Sequence, residues 1–171
     1  RVVVAVTGHQ LPDGRQVATA GNDGSVAVWD AATNQLQQRF AGTLPVKDVA
    51  FSPDGRLLLA GGDDRAAVLW DLTSGEEQGV FLGHVSTIDA VAFRGNGTEI
   101  ATGSADNEVR IWRAADPTEP RLVLDDCESS VFDVAYDAAG GRIAAACGNG
   151  AIQIWDADSG APDSARIREC S

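Results

Sequence analysis

Few residues of this chain have the types and spacing that chemistry requires. There are two His, His9 and His84, so a Ser-His-Asp relay has few candidates. The string DSG at 158–160 has the composition of a nucleophile turn. It lacks the strand-to-helix elbow that such a turn needs, and it follows Trp155 where comparable residues recur along the chain. The longer DADSG fails as a calcium loop, because its Gly comes one place early and no Glu closes it. Cys127 stands beside Asp125, Asp126 and Glu128, whose charges disfavour a thiolate, and Cys147 lies in an apolar run as a small core residue. With Cys170 the cysteine count is odd and without metal-like spacing, which reads as reduced thiols in a cytoplasmic protein. GNGTEI has neither the Lys nor the helix of a phosphate loop. No catalytic, cofactor-binding or metal-binding residue emerges, and the chain reads as non-enzymatic.

The bulk numbers narrow the partners. Asp and Glu outnumber Lys and Arg by 25 to 13, a net charge of −12 that argues against nucleic acid. No apolar run approaches the ~20 residues of a membrane helix, and RVVVAV is too short for a signal-peptide core. At 171 residues one domain is expected. The chain has no Met and reads as a piece of something longer. Its Ala-, Gly-, Asp- and Arg-rich composition, with Lys47 as its one Lys, suggests a bacterium with GC-rich DNA.

The elements that would position these residues follow from a repeat. GNDGSVAVWD returns as GGDDRAAVLWD, GSADNEVRIWR and CGNGAIQIWD, and all four Trp (Trp29, Trp70, Trp112, Trp155) sit in these strings, 41, 42 and 43 residues apart. PDGR begins seventeen residues before Trp29 and again before Trp70, a tight-turn signal that RGNG and DAAGGR replace in the later repeats. Phe51, Phe93 and Tyr136 each lie nineteen before their Trp. The runs between turns are short, β-branched and apolar on both faces, which predicts four strands per repeat; in the third these are about 87–93, 98–103, 108–112 and 121–124. Such a sheet cannot bury itself and must stack on copies of itself, as in a β-propeller. The first strand of repeat one (VVVAV) is the least defined, and DSARIREC in the last repeat reads either as a strand or as a short helix capped by Asp163 or Ser164.

With Trp-Asp at 29–30, 70–71 and 155–156, and Gly83-His84, the chain resembles the WD-repeat family. The resemblance implies an all-β fold of four four-stranded antiparallel blades, about 1–40, 43–82, 86–124 and 129–168, belonging to a larger propeller. It also implies a hydrogen-bonded tetrad in each blade, complete in the third as His84, Thr102, Asp106 and Trp112. The first repeat keeps Thr19, Asp23 and Trp29; His9, only 20 residues before Trp29, is out of register. The second keeps Asp64 and Trp70, with Gly42 and Ala60 in the other places; the fourth keeps Trp155, with Cys127, Ala145 and Asn149.

Functionally the resemblance implies a protein-interaction scaffold within a larger signalling or regulatory protein, without a cofactor. Two alternatives stand beside it: the propeller part of a hydrolase whose catalytic residues lie elsewhere, and a structural self-assembly element. One rim of the blades would carry Asp23, Asp63, Asp64, Arg65, Asp106, Glu108, Asp125, Asp126 and Glu128, which reads either as a solvated edge or as a docking face for a basic protein or peptide. Four blades would form an open arc, closed by further blades or by a second copy.

Overall fold

Strands that are apolar on both faces must be covered on both, and the fold supplies that cover by stacking sheets. The structure, a computed structural model, describes residues 3–5, 14–42, 44–163 and 167–168. Sixteen strands form four antiparallel four-stranded sheets, each a simple meander, with no helix among the described residues. The first sheet is β1 (Val3–Ala5), β2 (Gln16–Gly21), β3 (Ser25–Asp30) and β4 (Leu36–Ala41). The second is β5 (Val46–Phe51), β6 (Leu57–Gly62), β7 (Ala66–Asp71) and β8 (Glu77–Leu82). The third is β9 (Ile88–Phe93), β10 (Glu99–Ser104), β11 (Val109–Arg113) and β12 (Leu122–Leu124). The fourth is β13 (Val131–Tyr136), β14 (Arg142–Cys147), β15 (Ala151–Asp156) and β16 (Ile167–Arg168). The fold class is all-β, as the repeat pattern predicts. VVVAV does supply a first strand, and within DSARIREC the described Ile167–Arg168 form β16, which pairs through Ile152↔Ile167; Ser164, the other proposed helix cap, lies outside the described residues.

The turns explain the regular punctuation. Gly14, Gly55, Gly97 and Gly140, each fifteen residues before a Trp, have φ of 66°, 70°, 73° and 71° and turn the first strand into the second. Five residues before each Trp a second left-handed residue turns the second strand into the third: Gly24, Arg65, Asn107 and Gly150, at φ 78°, 64°, 76° and 80°. Gly takes this conformation freely, whereas a side chain with a Cβ costs about 1–2 kcal/mol there. The Asp after Trp has an equally local reason. Asp30 Oδ1 accepts from the amides of Ala32 and Thr33 at 3.0 and 2.7 Å, and Asp71 and Asp156 do the same in their own turns. These amides hold all three carboxyls below the usual carboxylate range.

The core lies between sheets rather than within one. Three apolar clusters fill the spaces between successive sheets: Val28 with Leu58, Leu69 with Ile100, and Ile111 with Ile143 are representative pairs. The first strand of each sheet packs against its predecessor, β5 on β2, β9 on β6 and β13 on β10. The approach is close enough to require glycine, since a Cβ on Gly61 would stand 2.5 Å from Ile88 Cγ2 and one on Gly103 2.6 Å from Val131 Cγ1. A polar contact fixes the stacking register: Asp48 Oδ2 accepts the Val91 N–H of the next sheet at 2.8 Å.

The left-handed turn yields a test. Arg65→Gly is expected to stabilise the chain by roughly 1 kcal/mol, and Gly150→Ala to destabilise it by about as much. Urea unfolding midpoints that move in opposite directions would meet this expectation; equal midpoints would contradict it.

Candidate functional site

The tetrad of the third sheet is assembled from four successive segments of the chain. His84 comes from the segment between β8 and β9, Thr102 from β10, Asp106 from the turn after it, and Trp112 from β11. Trp112 donates its indole N–H to Thr102 Oγ1 at 3.0 Å. Thr102 Oγ1 lies 2.8 Å from His84 Nε2, and His84 Nδ1 lies 2.8 Å from Asp106 Oδ2. One assignment of protons satisfies the chain: the hydroxyl donates to Nε2, and Nδ1–H donates to the carboxylate. Burial pushes the His84 imidazole below its usual range and outweighs the pull of Asp106, so the ring is neutral at neutral pH. Burial alone would raise Asp106, but the Val85 amide and the His84 N–H hold it below the usual carboxylate range. Every donor is spent on an acceptor, so His84 has no lone pair free for base chemistry. Its neighbours Asp106 and Glu108 come within metal-ligand reach of it, but Glu108 is paired with Arg110 at 2.8 Å. The site holds structure together; it offers nothing to a substrate.

The other sheets solve the same burial problem differently. In the first, Trp29 donates to Thr19 Oγ1 at 3.0 Å, while Asp23 caps the Ser25 amide at 3.1 Å and lies 3.7 Å from Arg39. His9 is outside the described residues. In the second, Gly42 and Ala60 leave Trp70 Nε1 without an acceptor among the described residues, and Phe40 stacks on the indole with centroids 4.8 Å apart.

The fourth sheet corrects two expectations. Cys127 and Cys147 are not reduced thiols but a disulfide, with Cα atoms 5.7 Å apart. The pairing of β13 with β14 sets Val131 opposite Cys147, and this brings the end of β14 under the segment that carries Cys127. A bonded pair is the pattern of oxidising compartments, so cysteine usage no longer speaks for the cytoplasm. Asp126 is the second correction. It is not a surface rim charge but turns inward, accepting the Trp155 indole N–H at 2.7 Å, and its carbonyl accepts from Gln153 at 3.0 Å. Asn149, at the tetrad's Asp position, is exposed and caps the Ala151 amide at 3.1 Å instead.

In each of the last three sheets the segment after the second strand meets the segment before the first. The amides of Asp63, Ala105 and Gly148, each just past a second strand, donate to Pro45, Thr87 and Ser130, each just before a first strand. On that edge Asp63 pairs with Lys47 at 3.2 Å, Asp64 caps Ala66 at 3.3 Å, and Arg65 holds its left-handed turn. Asp125 and Glu128 are exposed and make no ion pair among the described residues. Sequence reasoning missed a charge cluster clamping the third and fourth sheets. Buried Glu99 takes Arg94 at 2.9 Å and Arg121 at 2.6 Å, and Arg94 also reaches Asp158 at 2.8 Å. Tyr136, partly buried beside it with its hydroxyl enclosed, has that hydroxyl pushed well above its usual pKa by burial and by Glu99. Only a spacing of 22 residues separates Glu99 from Arg121, and no local motif marks the pair.

These sheets and turns are those of repeat propeller blades. The family model described as "WD domain, G-beta repeat" matches at residues 3–30, 34–71, 75–113 and 118–156, and the chain belongs to that family. Each later match runs from the last strand of one sheet through the third strand of the next. Protein Atg16l2 of Mus musculus and of Homo sapiens is 33% identical over 73 residues, 42% of this chain and 12% of theirs. THO complex subunit 3 of Arabidopsis thaliana is 33% identical over 82 residues, 46% of this chain and 26% of its own. The matched stretch is thus a minor part of each relative. Repeats of this family generally mediate protein–protein contacts and are generally non-enzymatic. No described helix is long and apolar enough to cross a membrane.

The tetrad can be tested by stability. His84→Ala or Asp106→Ala strands a buried partner and is expected to cost roughly 1–3 kcal/mol, against little for exposed Asn149→Ala. Because the folded pKa of His84 lies below its ordinary 6.5, the unfolded chain takes up the proton more readily. Stability contributed by this group is full above that value and declines as pH falls through it. Urea melts from about pH 7.5 to 5.5 should show the decline in the native chain and its loss in His84→Gln; parallel curves would contradict the assignment.

Proposed function

We propose that this chain is a non-catalytic scaffold whose acidic edge docks a basic protein or peptide segment, within a larger signalling or regulatory protein. The observation that carries this reading is exposed Asp125 and Glu128, without cationic partners among the described residues, on the edge that also bears Asp63 and Asp64. Burial raises Asp89 on the neighbouring strand above the usual carboxylate range. Acidic edges steer basic partners and discriminate against acidic ones, as in recognition by complementary charge generally. A net charge of −12 speaks against nucleic acid as the partner. The composition supports a bacterial parent, although the named relatives are mammalian and plant proteins.

The test is binding of a fluorescent oligolysine peptide. Asp125→Lys with Glu128→Lys, both on exposed positions, should weaken it at least about tenfold and flatten its salt dependence. Unchanged binding across a salt titration would leave the edge with a role in solubility alone.

A second reading, closure of the ring by further blades or by a second copy, draws on the last sheet. Phe132 is 61% exposed, and Asp133, also exposed, holds the place on β13 that Asp48 holds on β5. Asp48 reaches across to the next sheet, and Asp133 offers the same acceptor to a strand laid against β13. Sedimentation of the isolated chain should give twice 17.8 kDa, reverting on Phe132→Asp, if a second copy supplies that strand. A monomer that exposes no apolar dye-binding surface would exclude this reading.

A further inference from the structure

In the second sheet the tetrad has lost two side chains but kept the groups they served. Gly42 and Ala60 stand where His84 and Thr102 stand in the third sheet, while Asp64 and Trp70 keep the places of Asp106 and Trp112. In the third sheet, contacts of 2.8, 2.8 and 3.0 Å join carboxylate, ring, hydroxyl and indole. In the second sheet no described residue joins them. Among the described residues Trp70 Nε1 finds no acceptor, and Asp64 receives the Ala66 amide alone, at 3.3 Å. Between them lies a cavity of about 150 Å³, bordered by all four of these positions and by Phe40 and Val68. Gly42 and Asp64 are exposed, so the cavity opens to solvent.

The backbone resists filling the hole from within. The Gly42 amide donates to the Gly24 carbonyl at 2.8 Å, and a Cβ on Gly42 would stand 3.0 Å from that oxygen. What the cavity lacks can therefore come from outside. The missing group must give a hydrogen bond to Asp64 and accept one on the side of Trp70. Ammonium and guanidinium have donors but no acceptor, and a carboxylate would meet Asp64 as a like charge. A neutral imidazole has one donor and one acceptor on opposite edges. A void of this size takes such a ring with a water in place of the lost hydroxyl. The paired rings of Phe40 and Trp70 give it an aromatic wall.

We propose that the cavity bordered by Gly42, Ala60, Asp64 and Trp70 is a binding site for an imidazole ring, free or carried by a histidine side chain, with its N–H on Asp64 and its second nitrogen toward the Trp70 indole. The site shares Asp64 with the acidic edge described above, but its occupation by a neutral ring does not depend on docking there.

The experiment is a titration of the 171-residue chain with imidazole at about pH 8, where the ring is neutral, following the indole 1H–15N signals. The Trp70 signal, assigned with Trp70→Phe, should shift alone and saturate with a dissociation constant on the order of 1 mM. Guanidinium should give no saturating shift. Ala60→Thr, which supplies an internal acceptor for Trp70, and Asp64→Ala should each weaken imidazole at least about tenfold. A capped histidine that saturates the same signal shows that a partner's side chain can supply the ring; one that does not restricts the site to free rings. A linear drift, four indoles moving together, or guanidinium matching imidazole on the native chain would overturn the proposal. The guanidinium comparison uses unmodified protein and so decides the matter even if a variant fails to fold.

Discussion

Everything in this molecule depends on the stacking of one sheet's first strand against the first and second strands of the sheet before it. Each sheet is apolar on both faces, so alone it would expose half its hydrophobic side chains. Stacking removes that surface from water and places the three apolar cores between sheets. Glycine at 61 and 103 brings the backbones close, and the Asp48 carboxylate fastens one inner strand to the next. The turns, the caps and the tetrad all serve to present flat, well-registered sheets to that contact.

The tetrad positions show how loosely a shared burial problem prescribes its solution. Each sheet places a Trp on its third strand, and the indole N–H must be answered or left open to water. The third sheet answers it with a hydroxyl backed by a buried His and Asp, and the first with the Thr19 hydroxyl. The fourth uses Asp126 from the preceding loop and closes the space with a disulfide. The second leaves it unanswered among the described residues and keeps a cavity. Four copies of one architecture thus differ in what they leave available. The intact tetrad is closed to ligands because its donors are spent, while the eroded one keeps Asp64 and Trp70 on the wall of one cavity.

The edge charges follow the same logic of availability. Asp63, Glu108 and Asp126 look alike in sequence but are engaged by Lys47, Arg110 and Trp155 respectively. Asp125 and Glu128 remain as surface charge. Charge in a loop becomes a docking surface only where the fold has not already used it.

What the sequence by itself determined was everything governed by local rules and repeated four times. The Trp spacing set the repeat, Gly and Asn at the left-handed turns set the strand ends, and Asp after Trp capped the next turn. Those are interactions over a few residues, so their pattern is written along the chain. The third-sheet tetrad was legible through the family resemblance, which implied His84, Thr102, Asp106 and Trp112 as its members. The tertiary structure alone decided which cysteines meet, which way Asp126 turns, and that Glu99 gathers Arg94 and Arg121 between two sheets. It alone decided that the loss of two side chains at Gly42 and Ala60 leaves a cavity rather than a collapsed core. Each of these depends on distances between groups from different strands or sheets, set by register and stacking, and no local spacing encodes them.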